Sequence, residues 1–139
     1  MSTIYLVSCV SVKCPAPMAA KDLYMSSWFK KARLYVEKTG CDWFILSAEH
    51  GLIGPEQVIA PYEKTLNTMP VAARRDWAKR VSAQLQEAVP DMDRAVFLAG
   101  HRYREFLAPC FLDRGIAVEV PMQGLGIGEQ LSWLGSHDG

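Results

Sequence analysis

Two histidines stand just past apolar runs, where an imidazole titrating near neutral pH could give or take a proton. His50 follows Trp43-Phe44-Ile45-Leu46 across Ser47-Ala48-Glu49, and His101 follows Val96-Phe97-Leu98-Ala99 across Gly100. A third group is Glu63, next to Tyr62 in Pro61-Tyr62-Glu63-Lys64. There a carboxylate can orient water or a hydroxyl, and a ring can stack on a nucleobase. Ser8, Cys9, Ser11 and Lys13 follow the first apolar run and offer hydroxyls, backbone N–H groups and an ammonium to an anion. Ser47 opens the second such segment and Tyr103 closes the third. Gly124 and Gly126 lie in a glycine run whose backbone can approach a ligand closely.

Each of these residues also has a structural reading. A loop histidine can simply hydrogen-bond its neighbours, Cys9 can be a small buried thiol, and Tyr62 can anchor its loop to the core. Cys9 and Cys14 are five apart, Cys41 and Cys110 stand alone, and the chain has no CxxC pair and no HxxxH. That pattern points to no metal site. Without a P-loop or GxGxxG turn, no cofactor is expected. His137 lies in a polar tail and is assigned no role.

Four apolar runs position these groups: residues 4–10, 43–46, 94–99 and 116–120. Continuous rather than alternating apolar runs predict a sheet covered on both faces. Helical spacing falls between them. Met25, Trp28, Phe29, Ala32 and Val36 form one face, ending near Gly40. Trp77, Val81, Leu85 and Ala88 form another, between Pro70 and Pro90. Tyr103, Phe106, Leu107 and Cys110 predict a third helix, bent or broken at Pro109, and residues 127–134 a short last one. The alternation predicts a single α/β domain over 1–139. Its three layers hold a mostly parallel four-stranded sheet, order 2-1-3-4, with helices on both faces. The connection 48–69 reads as one long loop. Ligands of such sheets bind beyond the carboxyl ends of the strands. Cys9 or Lys13, Ser47 or His50, and Tyr103 are therefore expected to line one cleft.

Composition narrows the classes. The chain has 139 residues, half of them apolar, with fifteen Lys+Arg against fifteen Asp+Glu. This excludes general disorder and a basic or acidic tail protein. No run is long and apolar enough to span a membrane, and Met1-Ser2-Thr3-Ile4 enters a strand without a basic leader, so a cytoplasmic protein with reduced thiols is expected. The charge is uneven: residues 1–40 carry six bases against two acids, and residues 71–110 seven against five. Those segments could be solvated helix faces or a basic rim for phosphates.

The segment Leu46-Ser47-Ala48-Glu49-His50-Gly51-Leu52-Ile53-Gly54-Pro55, followed by Ile59-Ala60-Pro61-Tyr62, resembles the signature of the YaaA-type peroxide-stress proteins. It is still more similar to a family of small stand-alone bacterial domains of unknown function. The matching residues there include Ser8-Cys9, Lys13, Ala99-Gly100, Tyr103 and the run from Gly124 to Leu134. The resemblance spans nearly the whole chain. It also extends to the uracil-DNA-glycosylase-like module of tRNA deazaguanine-modifying enzymes. The resemblance carries no settled activity. It links the chain to proteins of DNA protection and tRNA modification, from which an enzyme acting on a nucleobase or nucleotide, in repair, modification or defence, is expected, with N-glycosidic cleavage as one candidate chemistry. Glu49 departs from the expected Lys or apolar residue, which argues against it as an essential acid.

Three functions remain open on the residues alone. In the first, an enzyme uses His50, His101 or Glu63 for proton transfer, with Ser8, Cys9, Lys13, Ser47, Tyr62, Tyr103, Gly124 and Gly126 binding substrate. The second is a non-catalytic module for a nucleotide or nucleic acid, where neutral overall charge favours a small nucleotide or short single strand over duplex. The third is a homo-oligomer with some of Trp28, Trp43, Trp77 and Trp133 exposed at an interface.

Overall fold

The computed structural model of the chain describes residues 2–8, 13, 15–62 and 65–138, with the side chains of 137 and 138 outside that description. Strand β1 (Ser2–Ser8) is the centre of the main sheet. Its side chains alternate between two apolar clusters: Ile4 and Leu6 face one, Val7 the other. It pairs in parallel with β3 (Asp42–Ser47) on one side and β6 (Met92–Leu98) on the other. Beyond β6 lies the parallel edge strand β7 (Ala117–Glu119), and beyond β3 the antiparallel edge strand β4 (Gly51–Ile53).

The α/β class holds, with five strands in the order β4-β3-β1-β6-β7 rather than four. The added strand comes from the stretch expected to be a loop. Gly51, at φ 75°, turns the chain so that Leu52 and Ile53 lie back along Leu46 and Ile45. Three residues are too few for a periodic pattern to reveal. The Leu52 N–H donates to Gln84 Oε1 at 3.0 Å, so a side chain occupies a donor of this edge strand. The same stretch also holds β5 (Val58–Ile59), paired antiparallel with β2 (Met18–Ala19), and a 3-10 turn at Leu66–Thr68.

Helix α1 (Ala20–Leu23) precedes α2 (Ser27–Thr39), which starts where Ser26 Oγ accepts from the Phe29 N–H at 3.1 Å. It stops at Gly40, φ 73°. Met25, counted on its sequence face, lies before the helix. Helix α3 (Val71–Ala88) begins right after Pro70. The expected third helix is two: α4 (His101–Arg104) and α5 (Leu107–Asp113). The break falls at Glu105–Phe106 and not at Pro109. Pro109 sits in the first turn of α5, where a missing N–H costs no intrahelical bond. Helix α6 (Ile127–Asp138) closes the chain.

Helices cover both faces. Trp77, Val81 and Leu85 of α3, with Leu107 and Phe111 of α5, pack over Ile4, Leu6, Ala95 and Phe97. Phe29, Ala32 and Val36 of α2, with Leu134 of α6, pack over Val7, Ile45 and Leu98. Each such fully buried Leu, Ile or Phe contributes about 1.5–3 kcal/mol. None of the four tryptophans is exposed. Trp43 and Trp77 are buried, Trp28 is half-buried and bonded to Gln130, and Trp133 rests on Tyr35 with ring centres 5.1 Å apart. Among the described residues no helix is long and apolar enough to cross a membrane.

Candidate functional site

The carboxyl ends of the parallel strands carry two groups of polar residues, one beyond β3 and one beyond β6 and β7. At the first, Ser47 is fully buried. Its Oγ accepts from the His50 N–H at 3.0 Å, closing the turn that carries the imidazole. Its carbonyl accepts from Trp77 Nε1 at 2.8 Å. The His50 ring meets Tyr62 edge-on, centres 5.5 Å apart. The Tyr62 hydroxyl shares a 2.5 Å hydrogen bond with that of Tyr24, which is buried. Lys13 Nζ stands 4.4 Å from the centre of the Tyr62 ring and 5.6 Å from that of Tyr24. Lys13, His50 and Tyr62 are therefore brought together, with one face of the Tyr62 ring under an ammonium and its hydroxyl tied to the core.

Tyr103 is 4% exposed and meets Trp77 edge-on at 5.6 Å. That tryptophan is the one whose Nε1 bonds the Ser47 carbonyl, and Tyr103 itself is buried. Ser8 is buried at the end of β1. Cys9, Glu63, Ser11 and Cys14 lie outside the described residues, as does the side chain of His137. The expected common cleft is thus divided. Lys13, Ser47, His50 and Tyr62 sit at the β3 end, Tyr103 is in the core, and His101 and Gly124 are elsewhere.

His101 and Gly124 belong to a cleft of about 170 Å³ formed by the segments after β6 and β7 and by Trp28 at the start of α2. It is lined by the apolar residues Phe97, Leu98, Val120 and Met122 and by the polar residues His101, Arg104, Gln123 and Gln130. Gly124, at φ 85°, makes the turn leading to α6. Gly126 lies outside the cleft, its N–H donating to Glu129 Oε1 at 3.0 Å, which caps that helix. Gln130 is held on two sides. Its Oε1 accepts from Trp28 Nε1 at 2.8 Å and its Nε2 donates to the Leu125 carbonyl at 2.9 Å, so α2 and α6 are locked at the cleft mouth.

Arg104 was not singled out in the sequence. It lies one helical turn past His101, a spacing that puts both on one side of α4. Its Nε donates to the Ala99 carbonyl at 3.0 Å, which fixes the stem and leaves the two terminal amino groups with no carboxylate among the described residues. His101 Nε2 lies 3.4 Å from Glu105 Oε2. Burial pushes the Glu105 carboxyl up, but the hydrogen bond and charge of Arg74, with Arg102 and His101 nearby, hold it below the usual carboxylate range. Glu105 is thus an ionised orienting group rather than an acid. Among the described residues no three His, Cys, Asp or Glu side chains converge to hold a metal ion.

Fold and site define an open, mostly parallel α/β domain with a small polar cleft at the carboxyl edge of its sheet. The chain matches a family of unknown function, DUF6884, over residues 4–136, and belongs to it. It is also 31% identical over 94 residues to the uncharacterized protein YfjM of Bacillus subtilis (strain 168). That alignment takes in 66% of this chain and 61% of the relative.

Proposed function

We propose that the protein binds a nucleotide or nucleobase at the carboxyl edge of the sheet, with the phosphate on Arg104 and the base in the cleft beside it. The carrying observation is the Arg104 guanidinium. It is anchored through Nε and free of carboxylates among the described residues, in a cleft that it lines together with His101, Gln130 and several apolar side chains. A planar guanidinium matches phosphate oxygens two at a time. The cleft is smaller than the ~300–1,000 Å³ of a drug-sized pocket, which suits one ring or one phosphate. The likeness to YaaA-type proteins and to the uracil-DNA-glycosylase-like module supports the same ligand class.

Titration with nucleoside 5′-monophosphates tests this reading. Arg104→Ala should weaken binding at least about ten-fold, the scale of one lost charged hydrogen-bonding pair, and Arg104→Lys should fall between. Equal affinity in wild type and Arg104→Ala, or no binding by either, sinks it.

N-glycosidic cleavage is the second reading, favoured by the place of His101 at the cleft wall with Glu105 beside its Nε2. The C1′–N bond would break, the base leaving with its electron pair and a proton from the imidazole. Water would add hydroxyl to C1′ and return the proton. Base release from uracil-containing and modified oligonucleotides, abolished in His101→Ala, is the expected result. Release unaffected by that change removes His101 from the role.

A further inference from the structure

Helix α4 and the start of α3 carry more positive charge than the cleft itself uses. Arg74, Arg75, Arg102 and Arg104 lie there, and the acids of the same two segments are Asp76 and Glu105. Glu105 is mostly spent on Arg74, which is buried and donates through Nε at 2.7 Å while its Nη1 is held by the Met69 carbonyl. Arg102 reaches that carboxylate only at 3.6 Å, with its side chain 46% exposed. Arg75 pairs with no carboxylate among the described residues. Its guanidinium lies 5.0 Å over the ring of Phe106, which is half-buried. Contacts link these groups through Glu105: His101 of the cleft and Arg102 both approach its carboxylate, Arg74 pairs with it, and the next residue along each segment, Arg75 and Phe106, meet beside that pair.

We infer that this strip is a track for the phosphate backbone of a single-stranded nucleic acid that has one nucleotide in the cleft. The inference rests on the nucleotide reading of that cleft and deepens it from a free nucleotide to a strand. Exposed guanidiniums that follow a backbone are how sequence-tolerant single-strand surfaces hold phosphates; here Arg75, seated over Phe106, and Arg102 are the cations offered. Neutral net charge withholds the long-range field that a duplex binder uses, whereas a local excess serves a short strand.

The test compares wild type, Arg75→Gln/Arg102→Gln and Arg104→Ala, each checked for an unchanged melting temperature, against a nucleoside monophosphate and a short single-stranded oligonucleotide. The double variant should keep wild-type affinity for the mononucleotide. It should lose roughly ten-fold for the oligonucleotide, and its log–log salt slope should become shallower by about 1.4, or ~0.7 for each lost phosphate contact. Oligonucleotide binding that the double variant retains in full, or a loss equal for both ligands, overturns the track and leaves the cleft reading standing. Oligonucleotide binding sensitive to Arg75 and Arg102 but untouched by Arg104→Ala keeps the track and removes the cleft. Competition by polyglutamate as effective as that by the oligonucleotide would make the strip a general anion surface and overturn the inference.

Discussion

Trp77 shows how one side chain can serve packing and the site's framework together. Its indole fills the core between α3 and β1, and its N–H donates to the carbonyl of Ser47, the residue whose hydroxyl closes the His50 turn. Trp77→Phe keeps most of the apolar volume and leaves that buried carbonyl without its donor. We expect a loss of about 1–3 kcal/mol in chemical denaturation, with weakened protection of the His50 amide in hydrogen exchange. A stability change within error would mean that the carbonyl finds another donor. His50, by contrast, was legible from sequence as a polar group past a strand, but nothing in its spacing showed that its ring would meet Tyr62.

At the scale of elements, two glycines with nearly equal φ are set apart by their surroundings. Gly40 and Gly51 both have φ in the left-handed region, 73° and 75°. A Cβ on Gly40 would meet nothing within 4 Å, whereas one on Gly51 would stand 2.6 Å from Gln84 Oε1. That oxygen accepts from Leu52, so it cannot swing away without freeing the edge-strand donor. Gly40→Ala should cost about 1 kcal/mol, the left-handed term alone. Gly51→Ala should cost clearly more, because it adds the lost hydrogen bond, and comparing the two melting temperatures checks this. Gly40 could be read from sequence as a helix stop. Gly51 could not, since its strand is three residues long and its steric partner lies on α3.

For the whole molecule, the tie between α3 and the α4 region couples stability to pH. Glu105 is held below the ordinary carboxylate range chiefly by Arg74, against the upward pull of burial. A carboxyl depressed in the folded state adds stability that is complete above the unfolded value and is lost as pH falls through the folded one. Glu105→Gln should lower the melting temperature at neutral pH, because buried Arg74 loses its counter-charge, and should flatten the decline on the acid side. Parallel melting curves for wild type and variant between neutral and acid pH would show that another group carries that dependence.

The alternation of apolar runs with helical spacing was enough to settle an α/β domain with a sheet buried on both faces, because burial forces apolar residues into periods visible along the chain. The start of α3 and the stop of α2 were legible for a similar reason, since a proline and a helix-ending glycine act within one turn; the start of α2 was not, and Met25 was counted inside it. The fifth strand, the paired short strands β2 and β5, and the break before α5 were not, since each depends on partners far along the chain. The same holds for the site. His50 and His101 both follow strands and look equivalent in sequence, yet the tertiary structure sends one to Tyr62 and Lys13 and the other to a cleft with Arg104. Local residue order can place a group at the carboxyl edge of a sheet, but which groups share a cleft is decided by the sideways packing of strands and helices.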